Sequence, residues 1–335
     1  MDKLELYHGD CLEVMKLIPD GSVDMILCDL PYGTIKGMQL KGWNHTRTQW
    51  DESIDTNALF PEYERVLRMN GVAILFSQEP YTSHLRTQRY VNFEFCYPLV
   101  WVKNHFANVL SSKKAPVSYF EDLSVFVKKY DRQNLHPLRA YVAEIMEFCG
   151  LKSSKDVNKI LNHRRAEHFF YVESLQFKLC TRQTYEELTH VLELEGMQGF
   201  LPYDDLVEIN RSFERTFNLP SASKYLGNVL SFKKDYQGLH PTQKPVALLE
   251  CLINTYTNKD DIVLDNCMGS GSTGVACINT NRNFIGIEKD LRYFKIAKKR
   301  IENSKQEHPR CIVEQGELFG GGINENGQSS RQWQR

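Results

Sequence analysis

The sequence predicts an α/β protein, doubly wound around a mostly parallel, Rossmann-like sheet and carrying a helical insertion. Three observations predict it. Short apolar runs alternate with amphipathic stretches towards both ends of the chain, as strands covered by helices on both faces require. Three of those runs stop at a carboxylate, Asp29, Asp265 or Glu288, and in such sheets ligands bind at the strand carboxyl ends. Between about 131 and 220 strand-like runs vanish and helical periodicity takes over.

In chain order, residues 3–7 and 23–28 are expected strands flanking an amphipathic helix near 11–18. A helix over 58–69 leads to a buried strand over 72–77, and 93–102 and 123–128 continue the sheet. In the middle segment, Tyr141, Ile145, Phe148 and Leu151 mark a helix ending near Gly150. Ser153 and Ser154 can cap a second, with Val157, Ile160 and Leu161 on its apolar face. Helix, glycine turn and helix serve any αα-hairpin, so the pair alone does not identify a recognition helix. A third helix is expected over 184–194, capped by Thr184, with Glu186 and Glu187 in its first turn. Beyond the insertion, Pro245 stands where a helix over 246–253 begins. Residues 262–265 and 283–288 are strands, each followed by a helix.

With 335 residues, 41% hydrophobic and 25% charged, the chain can bury a substantial core as one large domain with an insertion, or as two. Neither a long apolar run nor a charged-then-apolar leader is present, so a cytoplasmic protein with no membrane contact is expected. Nine cysteines without a C-x-x-C pair argue against a disulfide framework or a structural zinc, and no metal is expected. Cys28, Cys267 and Cys277 read as small reduced core residues. No Pro-Cys dipeptide offers a thiolate for attack on a pyrimidine ring.

Asp29-Leu30-Pro31-Tyr32 suits chemistry on an exocyclic amino group. Such an amine is a poor nucleophile because its lone pair is delocalised into the ring. An Asp29 oxygen and the Leu30 carbonyl can each accept one amino hydrogen, which aims the lone pair at a donor carbon. Pro31, with fixed φ and no N–H, steadies that carbonyl, and Tyr32 offers a face for an extruded base. An ordinary strand end with a turn would look the same.

Residues 263–274 read as a strand, a glycine-rich turn and a helix start, with Met268, Gly269, Ser270, Gly271, Ser272 and Thr273 in the turn. Glycines permit close approach of a ligand to backbone, and the helix N-terminus offers free N–H groups. About 20 residues on, Glu288 ends a strand where a carboxylate can accept both ribose hydroxyls. The G-x-G-x-x-G match is also a dinucleotide pattern. Asp265, just before the turn, would repel a pyrophosphate. S-adenosyl-L-methionine, cationic and without phosphate, suits that acidic strand end better. In His240-Pro241-Thr242-Gln243-Lys244-Pro245, Thr242 and Lys244 are candidates to reach a ligand carboxylate, and a capped helix with a solvated lysine is the alternative.

Together these motifs closely resemble the amino-methyltransferases of DNA, in the family's beta order: D-P-P-Y-type motif, target-recognition region, then H-P-T-Q-K-P and glycine-rich motifs. The resemblance covers roughly residues 3–130 and 222–302. It implies that Asp29 and the Leu30 carbonyl grip the target amine and that Tyr32 stacks on the flipped base. It implies too that Asp265 with the loop over Gly269–Gly274 lines the cofactor pocket and that Glu288 holds the cofactor ribose. His240, Thr242 and Lys244 join that cofactor set. His8-Gly9-Asp10-Cys11 resembles the family motif near the cofactor adenine, which adds Asp10. Leu30 stands where the family usually has proline; its carbonyl survives, so the rate rather than the reaction class is affected.

The resemblance divides the chain into a catalytic half (1–130), a helical target-recognition insertion (131–220), a cofactor-binding half (221–304) and a tail (305–335), Gly/Ser/Gln/Asn-rich and expected to be disordered from about 320. The net charge of −1 conceals a split: residues 103–182 carry 14 Lys/Arg against 8 Asp/Glu, and residues 183–220 carry 2 against 8. Local charge governs phosphate contact, so the first segment is the expected face for double-stranded DNA. Lys113 and Lys114 sit beside the expected catalytic edge. Arg164 and Arg165 precede His168-Phe169-Phe170-Tyr171, a mixture suited to phosphate contact with base stacking or groove insertion. Gln315, Leu318 and Phe319 form a Q-x-x-L-F segment resembling peptides that dock on the replication sliding clamp; packing on the chain's own surface is the alternative. The expected function is site-specific methylation of adenine N6 in a restriction–modification setting. Asp29 favours adenine, because cytosine-N4 members more often carry serine there. Cytosine-N4 transfer, a non-catalytic DNA-binding module and a nicotinamide-dependent oxidoreductase are the alternatives, and a homodimer is compatible with the sequence.

Overall fold

The computed structural model describes residues 4–33, 52–107, 112–114, 116–129, 136–174, 176–220, 224–235 and 243–307. His240, Thr242, Gln315, Leu318 and Phe319 lie outside the described residues, as does the tail from 308.

Eight strands form one sheet: β1 (Leu4–His8), β2 (Val23–Asp29), β3 (Leu67–Ser77), β4 (Phe93–Ala107), β5 (Ser118–Lys128), β6 (Val229–Ser231), β7 (Ile262–Asp265) and β8 (Asn283–Glu288), in spatial order β1-β8-β7-β2-β3-β5-β4-β6. β5 runs antiparallel to both neighbours and every other pairing is parallel. β2 shows why this sheet reads as a continuous apolar run. Met25 and Leu27 pack on one face with α8 (Val246–Tyr256), α9 (Ser272–Asn279) and α10 (Leu291–Glu307). Ile26 and Cys28 pack on the other with α1 (Cys11–Met15) and α2 (Thr56–Val66). Both faces are dry, so no alternation with polar residues remains.

The elements differ from expectation where tertiary pairing overrides local pattern. The helix expected over 58–69 ends at Val66, because Leu67 already pairs with Val23 as β3 begins. α3 (Tyr81–Thr87) and β6 were not expected; β6 has only three residues and shows no periodicity to read. All eight cysteines among the described residues are free thiols. No helix among them is long and apolar enough to cross a membrane.

The helical segment builds its own core from α4 (Leu138–Phe148), α5 (Ser154–Leu161), α6 (Arg182–Val191) and α7 (Tyr203–Phe213). Ser153 caps α5 in a reciprocal box with Asp156, as its position suggested. α6 starts two residues early, with Thr181 rather than Thr184 as its cap. Phe148 is 49% exposed and lies off the apolar face assigned to it. Phe169 and Phe170 are buried in this core, which removes them from any role in base stacking. The segment is tethered at the amino edge of the sheet. Asn70 of β3 donates to the Phe213 carbonyl at 2.5 Å and Arg68 donates to that of Glu214 at 3.1 Å. Asn70 lies in the irregular start of β3, before the regular run from Val72 to Phe76, the partner of Asp29, so this tether is at least about 13 Å along the strand from the carboxyl edge.

Candidate active site

Adjacent strands β1, β8, β7 and β2 end at the same edge and deliver Asp10, Glu288, Asp265 and Asp29 to one rim. Their surroundings divide the rim in two.

On the Asp29 side the carboxylate is held by two donors. Tyr32 Oη donates to Oδ1 at 2.6 Å, and Lys244 Nζ donates to Oδ2 at 2.6 Å. Lys244 also lies 3.1 Å from Glu121 Oε2 and 5.1 Å from the centre of the Phe76 ring. Glu121 in turn accepts from Lys103, whose ammonium stands over Trp101. Burial raises the Asp29 pKa, and the Lys244 charge holds that rise back. For Lys244 burial acts downward, but Asp29 and Glu121 outweigh it and the net shift is up. For Glu121 burial acts upward, and Lys244 with Lys103 reverse it. Deleting one member of such a buried set strands a charge, at a cost of about 3–5 kcal/mol. Lys244 was expected to reach a ligand carboxylate. In the structure it is placed against the protein's own Asp29 and Glu121, which take up two of its three donors at most. Tyr32 is half-buried, its ring 5.7 Å from that of Tyr81. Leu30 is buried, so a larger backbone deviation from the usual proline is opposed by packing.

The other side contains neutral donors. Asp265 Oδ2 accepts from Thr273 Oγ1 at 2.6 Å and Oδ1 from the Cys267 N–H at 3.1 Å. Glu288 Oε2 accepts from the Gly269 N–H at 2.9 Å and Oε1 from that of Asp290 at 2.8 Å. With no cation against either among the described residues, burial raises Asp265 to about 6 and Glu288 to about 7. Asp10 caps α1 through the Leu12 N–H and pairs with Lys289 at 3.0 Å, and its pKa is lowered despite partial burial. Gly271 sits at φ +78°, and a Cβ there would meet Ala297 at 3.0 Å, so the turn needs glycine.

Several loop side chains expected to face a ligand are used internally. Arg300 donates to Ser272 Oγ at 2.9 Å and to the Ser270 carbonyl at 3.3 Å, Thr273 serves Asp265, and the Met268 side chain lies in the core. The loop therefore presents backbone, with its hydroxyls fastening it from behind. Arg300, Glu121 and Lys103 were not found in the sequence: each is a charged residue outside any motif, and only folding brings it here.

The acidic rim fits a cationic, phosphate-free cofactor, and a pyrophosphate would meet three carboxylates. Even the Gly269 N–H, a natural phosphate donor, is taken by Glu288. Carboxylate oxygens retain further lone pairs, so Glu288 can still accept ribose hydroxyls and Asp29 an amino hydrogen.

The expected DNA contacts are scattered. Lys113 and Lys114 are exposed between β4 and β5, whose paired ends extend past the level of Asp29. Arg164 is paired with Glu167 at 2.8 Å, and Arg165 with Glu187 at 3.1 Å, on the surface of the helical segment.

The model of the N6/N4 DNA methylase family matches residues 23–299. The type II methyltransferase M2.MboI of Moraxella bovis is 50% identical over 309 residues, 88% of this chain and 86% of that one. The DNA adenine methyltransferase YhdJ of Escherichia coli K12 is 26% identical over 306 residues, 89% and 82% of the two chains. The crystal structure of the M1.HpyAVI–SAM complex shares the fold, with a TM-score of 0.51 at 24% identity, covering 89% of this chain and 99% of that one.

Proposed function

The chain belongs to the N6/N4 DNA methylase family, and on that premise we propose that it transfers the methyl group of S-adenosylmethionine to the N6 amine of an adenine in a specific double-stranded DNA sequence. The observation that carries this reading is the pinned Asp29 carboxylate beside an acidic, phosphate-excluding rim on one sheet edge. The bound cofactor supplies an electrophilic methyl on a sulfonium. The protein's part is to hold the amine. Asp29 would accept one amino hydrogen and the Leu30 carbonyl the other, which frees the nitrogen lone pair for the methyl. The N–C bond would form as the S–C bond breaks to leave a neutral thioether, and the methylated nitrogen would shed one proton to water. Pro31 keeps that carbonyl aimed. Tyr32, its hydroxyl anchored on Asp29, stacks on the adenine after it leaves the helix. Glu288 takes the cofactor ribose, Asp10 stands towards its adenine, and Asp265 with Thr273 stiffens the loop that shapes the pocket.

Adenine is favoured by Asp29 itself and by the adenine specificity named for YhdJ. Lys113 and Lys114 lie on the DNA side, and the helical segment over 131–220 is assigned target recognition. Subunit number and a clamp contact through Gln315, Leu318 and Phe319 are separate proposals, read by sedimentation and by clamp pull-down. The decisive experiment incubates the protein with labelled cofactor and plasmid and maps the modified bases. N6-methyladenine at one recurring sequence is the expected result. Label on cytosine N4 would move the target, and cofactor binding without incorporation would remove the activity.

A further inference from the structure

We propose that Glu121 and Lys103 are positioning residues for the transfer: the alternating series Lys103–Glu121–Lys244–Asp29 keeps Lys244 charged and docked, so that Asp29 meets the target amine as an ionised, immobile acceptor. This rests on the reading of Asp29 as the group that accepts from the amine. Neither residue belongs to the three motifs. Both come from the β4–β5 hairpin, where Glu121 is opposite Trp101 in register.

The argument is one of charge balance. Two ammonium groups and two carboxylates share a dry space, with Lys103 only 1% exposed and Glu121 10%. Fully ionised, the set is neutral. Among the described residues, the charged groups around Lys244 include Asp29 from β2, Glu121 from β5 and Lys103 from β4, with Lys234 within range of Lys103, and Tyr32 holds Asp29 from its other side. Without the Glu121 charge, two cations would confront one carboxylate. Among the described carboxylates, Lys103 would then have none of its own and Lys244 would keep Asp29, so the two ammonium groups would repel each other across the dry space and each would be pushed towards releasing its proton. A neutral Lys244 would no longer fix Asp29 Oδ2 through a charged bond, and the acceptor would lose both orientation and charge stabilisation. Trp101 and Phe76 flank the ammonium groups and keep water from substituting for Glu121.

The test compares single-turnover methylation by the full-length protein, with labelled S-adenosylmethionine and cognate DNA, in Glu121→Gln, Lys103→Met and the double variant. Glu121→Gln should slow transfer by about tenfold or more while cofactor affinity stays within a few-fold. Its alkaline limb should move to lower pH, because Lys244 has lost a carboxylate. The double variant leaves Lys244 alone with Asp29. It should regain part of the rate, and its alkaline limb should move back up. Melting temperature and cofactor affinity report folding. If Glu121→Gln does not fold, the double variant, which strands no charge, carries the comparison. A wild-type rate and profile in Glu121→Gln would overturn the proposal. So would losses that simply multiply in the double variant, as two structural defects would. Absence of transfer by the unaltered protein would instead count against the proposed function.

Discussion

Two carboxylate sites share one sheet edge and differ in what neutralises them. Asp29 faces a lysine that is itself held by a second acid and a second lysine. Among the described residues, Asp265 and Glu288 face hydroxyl, thiol and backbone N–H donors. Burial raises the Asp29 pKa, and the lysine opposes that rise and fixes one carboxylate oxygen. Burial raises the other two to about 6 and about 7, so a cationic ligand beside them would favour their ionised forms. Identical groups at the strand ends thus sit in two electrostatic settings, one with a buried lysine against it and one held by neutral donors.

The largest expected effect tests that division. Asp29→Ala should cut methyl transfer by about a thousandfold or more, as loss of a reaction-centre hydrogen-bonding group does, with cofactor affinity within a few-fold. A fall in cofactor binding as deep as that in Asp265→Ala would merge the two sites. Conversely, Glu288→Gln should weaken cofactor binding by about tenfold to a hundredfold, the worth of a charged hydrogen bond. Its rate at saturating cofactor should change little; a binding isotherm and single-turnover kinetics read the two separately.

The pH response follows from the raised values. Glu288 near 7 and Asp265 near 6 lie above the ordinary carboxylate range. Their contribution to cofactor-free stability is complete below the ordinary carboxylate values and is lost as pH rises from there through the raised ones, so these groups lower the melting temperature between about pH 4 and 7. Cofactor affinity runs the other way, because the ionised forms are the acceptors: it should fall by about tenfold as pH drops through the same window. Calorimetry across that range checks both signs, and a Glu288→Gln protein that keeps the full pH dependence would contradict the assignment.

Tyr32→Ala should slow turnover less on duplexes whose target base is mismatched, since unpairing has already been achieved there. Equal losses on paired and mismatched DNA would confine Tyr32 to its bond with Asp29. The smallest effect concerns the helical segment. Replacing Arg164 and Arg165 by alanine should leave the melting temperature little changed, because both arginines are solvent-exposed and their ion pairs are screened. If both also touch phosphate, the salt dependence of DNA affinity should flatten by about 2 log units per log unit of salt. Unchanged affinity and slope would take this surface off the DNA.

The sequence by itself determined the alternation of strands and helices, the carboxylates at three strand ends, and the glycine turn, because each is a local pattern: a run of apolar residues, a stop, a turn that needs positive φ. It also carried the family motifs in their order. Tertiary structure decided what each polar group faces. Lys244 follows a turn that reads as ligand-binding, yet folding spends its charge on Asp29, 215 residues away, and on Glu121. Phe169 and Phe170 stand among basic residues in sequence, yet close a core in space. Helix α2 was overrun at its end by β3, whose pairing with β2 no helical pattern encodes. A side chain's rotamer, partner and ionisation are fixed by residues distant in the chain, and burial makes those partners matter most where sequence patterns say least.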